Sequence, residues 1–111
     1  EHGAQKRVEG DLKEGQHVVV IEDLISTGGS SASTADALRA ESKCTVTDVV
    51  AIFSYELAAA HEKAMESKVQ FHPLSSLSTL LQVALDQDRL IDEEAEMVEQ
   101  FARDPKAWRP V

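Results

Sequence analysis

The stretch HVVVIEDLISTGGSSASTADALRA, which runs from His17 to Ala40, decides the fold. It begins with a short β-branched apolar run, continues through two acids and a segment of hydroxyl and glycine residues, and ends in an Ala-rich segment. The apolar run is typical of a strand that is buried on both faces. We therefore predict a β-strand over 17–21, then a loop, then a helix over 31–40.

Strand-like and helix-like segments alternate along the rest of the chain. Strands are predicted over 45–54 and 69–74, and helices over 56–66, 76–85 and 91–102. Pro73 should end the third strand or place it at a sheet edge, and Asp92 is the predicted N-cap of the last helix. This order indicates an α/β fold, a parallel sheet with right-handed crossovers and flanking helices, in a single domain over 1–111.

Composition excludes several classes of partner. Eleven basic against twenty acidic residues give a formal net charge of −9, which disfavours binding to nucleic acid or to an anionic membrane surface. No apolar run approaches the roughly 18 residues of a membrane span. We therefore expect a soluble protein whose partners are small molecules or other proteins.

The cysteine and histidine content bears on the compartment and on metal binding. Cys44 is the single cysteine in the sequence, so it cannot form an internal disulfide, which fits the reducing cytoplasm. It lies at the start of an apolar stretch, where a buried structural thiol is expected. No Cys or His cluster has the spacing of a zinc site, and we predict no metal ligands in the chain itself.

The loop after the first strand has the chemistry of a phosphate site. It consists of small and hydroxyl residues: Ser26, Thr27, Gly28, Gly29, Ser30 and Ser31. Glycines allow a close backbone approach, and free N–H groups at a helix start attract anions. The loop lacks the Lys of a Walker A motif and the spacing of a dinucleotide-binding motif, so neither a nucleoside triphosphatase nor a hydride-transfer enzyme is expected.

Two carboxylates, Glu22 and Asp23, stand directly before this loop. Because acids repel a phosphate, they make chemical sense only if they contact neutral hydroxyls or a cation on the same ligand. A ribose 5-phosphate meets that requirement. Its phosphate would occupy the loop, and its 2′- and 3′-hydroxyls would donate charge-assisted hydrogen bonds to the acids.

The segment VVVIEDLISTGGSS resembles the phosphoribosyl pyrophosphate (PRPP) signature of type I phosphoribosyltransferases. Within that family the chain is most similar to bacterial orotate phosphoribosyltransferases, through the opening EHG, the strand VVAIFSYEL and the stretch LSSLSTLLQVAL. The resemblance implies the C-terminal part of a phosphoribosyltransferase-like core. Residues 1–15 would be the end of a mobile catalytic loop and a connector, and residues 16–111 the PRPP-binding portion.

The resemblance also implies roles for individual residues. His2 would contact pyrophosphate, Glu22 and Asp23 would hold the ribose hydroxyls, and Ser26 would hydrogen-bond orotate; His2 and Asp23 would be the catalytic residues. The full PRPP-binding set would be His2, Glu22, Asp23, Leu24, Ile25, Ser26, Thr27, Gly28, Gly29 and Ser30. Mg²⁺ would accompany PRPP, and the enzyme would be a cytoplasmic homodimer.

Two alternatives remain open at this point. The loop alone does not exclude a phosphoribosyltransferase for a purine base. A regulatory module that binds PRPP without turnover is the second alternative. Since the resemblance places the base-binding hood and most of the mobile loop upstream of Glu1, we expect the isolated 111 residues to be inactive.

Overall fold

The computed structural model describes residues 7–109. The elements in chain order are β1 (His17–Ile25), α1 (Gly29–Ser42), β2 (Thr45–Ser54), α2 (Ala58–Ser67), β3 (Gln70–Ser76), α3 (Leu77–Asp86) and α4 (Asp92–Arg103). The strands form one sheet in the order β1-β2-β3, and both strand pairs are parallel. The predicted α/β class is therefore confirmed.

The main core lies between the sheet and the first two helices. Right-handed crossovers from β1 to β2 and from β2 to β3 step in the same direction, which puts α1 and α2 on the same face of the sheet. On that face the fully buried side chains of Val49 and Ala35 meet, together with Val20, Val46 and Leu38. Ala35 allows the helix backbone to approach the strands closely.

The prediction that the first strand is buried on both faces is wrong. Val20 is buried against the helices, whereas its neighbours Val19 and Ile21 are exposed. Successive strand residues point to opposite faces, and within residues 7–109 both crossover helices lie on the Val20 side. The apolar run therefore has one covered and one open face.

Tertiary pairing also moves two predicted boundaries. β1 continues through the acids to Ile25, because its pairing with β2 extends to Ile25 opposite Ser54. α2 begins at Ala58 instead of residue 56, because Glu56 has a left-handed backbone with φ of 60° and cannot join a right-handed helix.

The prediction for Pro73 is confirmed in its second form, an edge strand, whereas the prediction that Asp92 is the N-cap of the last helix is wrong. β3 is an edge strand, as Pro73 indicates, but it does not end there, since it stays paired with β2 as far as Ser76. The N-cap of α4 is Ile91, and Asp92 is the first helical residue. The carboxylate of Glu94 accepts a hydrogen bond from the Ile91 N–H at 3.0 Å and so satisfies the free donor at this helix start.

The C-terminal helices extend the molecule beyond β3. α3 contacts β3, and α4 packs against α3. Trp108 meets Phe101 of α4 edge-on, with the ring centroids 5.8 Å apart, and this contact holds the tail on its own chain. Across residues 7–109 no helix is both long enough and apolar enough to cross a membrane.

Arg39 joins three elements in a way that the sequence did not indicate. Its guanidinium donates to the backbone carbonyls of Ser67 at 2.5 Å and Lys68 at 3.3 Å, both at the end of α2. It also donates to the carbonyl of Val46 in β2 at 2.6 Å. One cation therefore ties α1 to β2 and satisfies carbonyls at the carboxyl end of α2.

Cys44, between α1 and β2, is buried, as predicted.

A polar chain links the three strands. The hydroxyl of Thr47 donates to the Asp48 carboxylate at 2.8 Å and lies 3.0 Å from Nε2 of His17. Nε2 of His72 lies 2.8 Å from the other Asp48 oxygen. The hydrogen bond with His72, followed by that with Thr47, lowers the pKa of Asp48. The ionised form of this carboxylate is thus favoured in the folded state.

Replacement of this carboxylate should change stability in a pH-dependent way. Because the pKa of Asp48 is lower in the folded chain, its stabilising effect is present above the unfolded-state pKa of about 3.9 and is lost as the pH falls through the folded-state pKa. We expect Asp48→Asn to be less stable than the parent at about pH 6, with the difference shrinking below about pH 4. Urea unfolding across this pH range measures the difference.

The exposed Asp11 provides the control, because it lies in the segment before β1 and outside the polar chain. Asp11→Asn should leave the free energy of unfolding nearly unchanged across the same range. A loss in Asp48→Asn that is equally large at every pH would contradict the prediction.

Candidate functional site

The loop between β1 and α1 opens the amino end of α1 toward solvent. Gly28 is the N-cap of this helix, with φ of 84° and ψ of 0°, and its carbonyl accepts the first helical hydrogen bond, from the Ala32 N–H at 3.0 Å. Among residues 7–109 no side chain caps the helix, and its first turn contains no acid. The first N–H groups, with the positive end of the helix dipole behind them, are therefore available to an anionic ligand.

Close packing against α2 and β3 explains why glycine occupies position 28. A Cβ there would lie 3.0 Å from Cε2 of Phe71, 3.2 Å from Cα of Ala60 and 3.3 Å from Cβ of Lys63. Its positive φ also strains any residue with a side chain. The loop thus rests on α2 and β3, which lie more than thirty residues further along the chain. No sequence signal pointed to Phe71 or Ala60 as this support.

The structure brings the predicted phosphate-binding residues together at the carboxyl end of β1. Thr27 and Ser30 are exposed there, and Gly29 is half-buried. The prediction that the helix begins at residue 31 is wrong, since Gly29 and Ser30 already form the first turn of α1. Their N–H groups therefore belong to the open helix end and not to a flexible loop.

Three further residues of the predicted PRPP segment lie in different environments. Leu24 and Ser26 are exposed. Ile25 is almost fully buried and packs with Ala51 and Ala60, while its carbonyl accepts from the Tyr55 N–H at 3.1 Å. The side chain of Ile25 therefore belongs to the core. The predicted contact of His2 lies outside the described residues.

Glu22 and Asp23 lie on opposite faces of β1. Glu22 is half-buried opposite Ala51, on the face that the helices cover, and Asp23 is exposed on the other face. The ion pairs found within residues 7–109 use other carboxylates. A ligand that contacts both acids must therefore straddle the end of the strand.

A cleft of about 620 Å³ lies beyond the carboxyl ends of β2 and β3. Glu56 forms part of its wall and is fixed on two sides: its carboxylate accepts from the Ser78 N–H at 2.9 Å, and its own N–H donates to the Ser54 hydroxyl at 3.0 Å. Tyr55, Leu81 and Arg103 are among the other lining residues. Ligands of parallel α/β sheets bind at this edge, so the cleft lies on the same side of the sheet as the candidate site, although no residue of the β1–α1 loop lines it.

The described part of the chain contains no group of three or more His, Cys, Asp or Glu side chains that could hold a metal ion. Glu22 and Asp23 still provide two carboxylates at the site, and carboxylate oxygens suit Mg²⁺. These residues fit an ion that is held mainly by oxygens of a substrate and by water.

The chain is similar to orotate phosphoribosyltransferases. It is 38% identical over 109 residues to "Orotate phosphoribosyltransferase" of Coxiella burnetii, covering 98% of this chain and 52% of that protein. It is 42% identical over 109 residues to the protein of the same name from Bacillus cytotoxicus, covering 96% and 51%. The chain thus spans about half the length of the curated relatives it matches. No family model matches the chain.

Solved structures share the fold. Orotate phosphoribosyltransferase from Aeropyrum pernix matches with a TM-score of 0.63 and 30% identity, over 74% of this chain and 45% of that one. Leishmania donovani UMP synthase matches in fold with a TM-score of 0.72 at 24% identity, over 87% and 22%. Adenine phosphoribosyltransferase from Leishmania donovani matches with a TM-score of 0.53 at 28% identity, over 76% and 34%. The resemblance and the phosphoribosyltransferase-like fold predicted from the sequence are confirmed.

The two glycines of the loop should respond differently to a methyl group. Gly28→Ala places a Cβ within 3.4 Å of three atoms at a positive φ, so we expect the free energy of unfolding to fall by about 1–2 kcal/mol or more. Gly29→Ala is the matched control, because its Cβ would meet nothing closer than the Thr27 hydroxyl at 3.8 Å. Urea unfolding of both variants measures the difference. Equal losses would show that close packing does not determine the residue at position 28.

Proposed function

We propose that this chain is the PRPP-binding part of an orotate phosphoribosyltransferase. The whole enzyme transfers the 5-phosphoribosyl group of PRPP to orotate, which gives orotidine 5′-phosphate and pyrophosphate on the way to UMP. The observation that carries the proposal is the open, uncapped amino end of α1 directly after two carboxylates at the end of β1. The similarity to orotate phosphoribosyltransferases supports orotate as the base.

In this proposal the 5-phosphate of PRPP binds at the start of α1. The hydroxyls of Thr27 and Ser30 and the N–H groups of the first helical turn donate to its oxygens. The helix dipole, equivalent to roughly half a positive charge, favours the anion without a nearby Lys or Arg in the loop. Since Gly28 packs closely against α2 and β3, these donors need little rearrangement when the phosphate binds.

The two acids then orient the ribose. Because Glu22 and Asp23 lie on opposite faces of β1, the ring would sit across the end of the strand, with one hydroxyl near each carboxylate. Each charge-assisted hydrogen bond is worth about 1.5–3 kcal/mol. Fixing both the phosphate and the hydroxyls leaves C1 with a defined orientation toward the base, and such positioning can supply much of the rate enhancement.

The reaction needs no nucleophile from the protein. Orotate attacks C1 through a ring nitrogen as the bond to pyrophosphate breaks, and positive charge develops on the ribose ring. In this proposal the carboxylates of Glu22 and Asp23 would stabilise that charge. Mg²⁺ bound through the substrate oxygens would supply positive charge for the departing pyrophosphate, next to the exposed Asp23. His2 would contact the same leaving group.

The base would lie near Ser26, on the side of the loop that faces the cleft edge of the sheet. Ser26 is exposed next to the predicted phosphate-binding residues. Tyr55, which lines the cleft together with Glu56, donates its N–H to the carbonyl of Ile25, the residue before Ser26. Ser26 and these cleft residues lie at the same edge of the sheet, so the base and the ribose would occupy neighbouring positions. We further propose that the whole enzyme is a cytoplasmic homodimer, as the family resemblance implies.

The test uses the intact protein that contains these 111 residues and follows orotate absorbance after addition of PRPP and Mg²⁺. Hypoxanthine and adenine serve as competing bases. Consumption of orotate alone supports the proposal, whereas consumption of a purine would assign another phosphoribosyltransferase. Tight binding of PRPP without turnover of any base would favour a regulatory module. We expect the isolated 111 residues to show no turnover.

Removing the charge of one acid should weaken the use of PRPP. In the intact enzyme, Asp23→Asn should lower kcat/KM for PRPP at least about tenfold, because a charge-assisted hydrogen bond becomes a weaker neutral one. Glu22→Gln should act in the same direction. Steady-state kinetics with PRPP as the varied substrate measures both effects.

The control is Glu62→Gln, which removes an exposed carboxylate from α2 while keeping its shape. Its kcat/KM should match that of the parent enzyme. Unchanged kinetics in Asp23→Asn would remove Asp23 from the ribose-binding group, even if the transferase activity itself is found.

A further inference from the structure

Lys63 of α2 lies directly beside the loop that starts α1. Its Cβ is 3.3 Å from the position that a Cβ on Gly28 would occupy, so the base of its side chain adjoins the loop backbone. Lys63 also lines a groove of about 370 Å³ between α1 and α2, together with Gly29, the first residue of α1. A cation from a second helix therefore borders the helix end at which the phosphate is proposed to bind.

The Lys63 ammonium is loosely held. It lies 3.8 Å from a carboxylate oxygen of Glu66, and the two side chains are 49% and 68% exposed. Pairs this exposed contribute little to stability, because water screens the charges and both side chains lose rotamer freedom. Little is therefore lost when the ammonium turns from Glu66 toward another anion.

The length of the side chain lets the ammonium reach the amino end of α1. Four single bonds separate Cβ from Nζ, and they span about 5 Å when extended. Because the Cβ of Lys63 is fixed beside Gly28, Nζ can move within the groove from Glu66 to the side of Gly29. A phosphate on the first N–H groups of the helix would lie at that end of the groove.

The other cations near this groove have closer contacts. Arg39 donates to carbonyls at the end of α2 and in β2, and it forms an ion pair at 3.5 Å with Asp36, which also lines the groove. The guanidinium of Arg7 donates to the hydroxyl of Ser33, another lining residue from α1. Within residues 7–109, Lys63 is therefore the cation at this groove that a bound anion can recruit most readily.

We propose, on the basis of the function proposed above, that Lys63 is a phosphate-binding residue outside the sequence motif. When the 5-phosphate of PRPP binds at the start of α1, the ammonium leaves Glu66 and donates a charge-assisted hydrogen bond to a phosphate oxygen. The helix end is equivalent to roughly half a positive charge, whereas a phosphate monoester carries about 1.5–2 negative charges near pH 7. Lys63 supplies part of the remaining counter-charge.

Glu66 then competes with the substrate for the same ammonium. In the free protein it is the anion beside Nζ, and a bound phosphate has to displace it. Removal of this carboxylate should therefore tighten phosphate binding, whereas removal of the ammonium should weaken it. A general loss of stability cannot produce these opposite signs, since it would weaken binding in both variants.

The test measures the Kd of ribose 5-phosphate, by isothermal titration calorimetry at low ionic strength, for the intact protein that contains these 111 residues. This ligand has the phosphate and the hydroxyls of PRPP, and its binding requires no turnover. We expect Lys63→Gln to raise the Kd about three- to tenfold. Lys63→Arg should restore most of the affinity, because it retains the charge, and Glu66→Gln should lower the Kd about twofold.

The double variant Lys63→Gln with Glu66→Gln separates the two effects. If Glu66 acts through the ammonium, its removal gives no gain once the ammonium is absent, so the double variant should bind like Lys63→Gln. Lys13→Gln is the charge-matched control, since Lys13 precedes β1, whose nine residues span about 30 Å up to the loop. That distance exceeds the Debye length several times, so its Kd should equal that of the parent.

Thermal unfolding of each variant checks that the fold is retained. Parent-like affinity in a folded Lys63→Gln, or no recovery in a folded Lys63→Arg, would overturn the proposal. Weaker binding by Glu66→Gln would overturn it as well, because the carboxylate would then not compete with the phosphate. No binding of ribose 5-phosphate by the parent would remove Lys63 and the phosphate site at α1 together. The expected Kd changes in a protein that does not consume orotate would support the role of Lys63 and overturn the proposed reaction alone.

Discussion

The contact between the backbone of Gly28 and the surface formed by Phe71, Ala60 and Lys63 fixes the geometry of the candidate site. It leaves no room for a side chain at the turn from β1 into α1, and it holds that turn in a left-handed conformation. A Ser, Thr or Asp is the usual N-cap at a helix start, and its side-chain oxygen would accept a hydrogen bond from one of the first N–H groups. With glycine as the N-cap, those donors stay open for a ligand.

This turn also explains how an acidic chain can bind a phosphorylated ligand. The net charge of −9 repels anions at long range, and Glu22 and Asp23 add negative charge beside the loop. The attraction has to be short-ranged, from N–H groups, hydroxyls and the helix dipole, which act over a few ångströms. A ligand with a phosphate at one end and neutral hydroxyls next to it satisfies both halves of the site. A ligand with negative charge throughout does not.

The sequence pattern predicted elements well where one local preference dominates. The second strand is predicted with the bounds that the structure has, Thr45–Ser54, because β-branched residues occupy most of it. Predictions were wrong where pairing or packing across the sheet decides. β1 is longer than its apolar run because β2 continues to pair with it, and β3 runs beyond its predicted end at residue 74 because its pairing with β2 continues to Ser76. The polar chain around Asp48 joins residues from three strands and has no local signal.

The sequence by itself determined the parallel α/β fold, the place of the candidate site and the residue types in it, because strand and helix periodicity and a short motif with specific chemistry are local properties. Only the tertiary structure decided that Ile25 is a core residue, that Glu22 and Asp23 lie on opposite faces of β1, and that the loop rests on α2 and β3. Within residues 7–109 it also left one face of the sheet without covering helices, a property set by the direction of both crossovers and by every residue that packs against the strands. Burial and facing depend on partners distant in the chain, which no local pattern specifies.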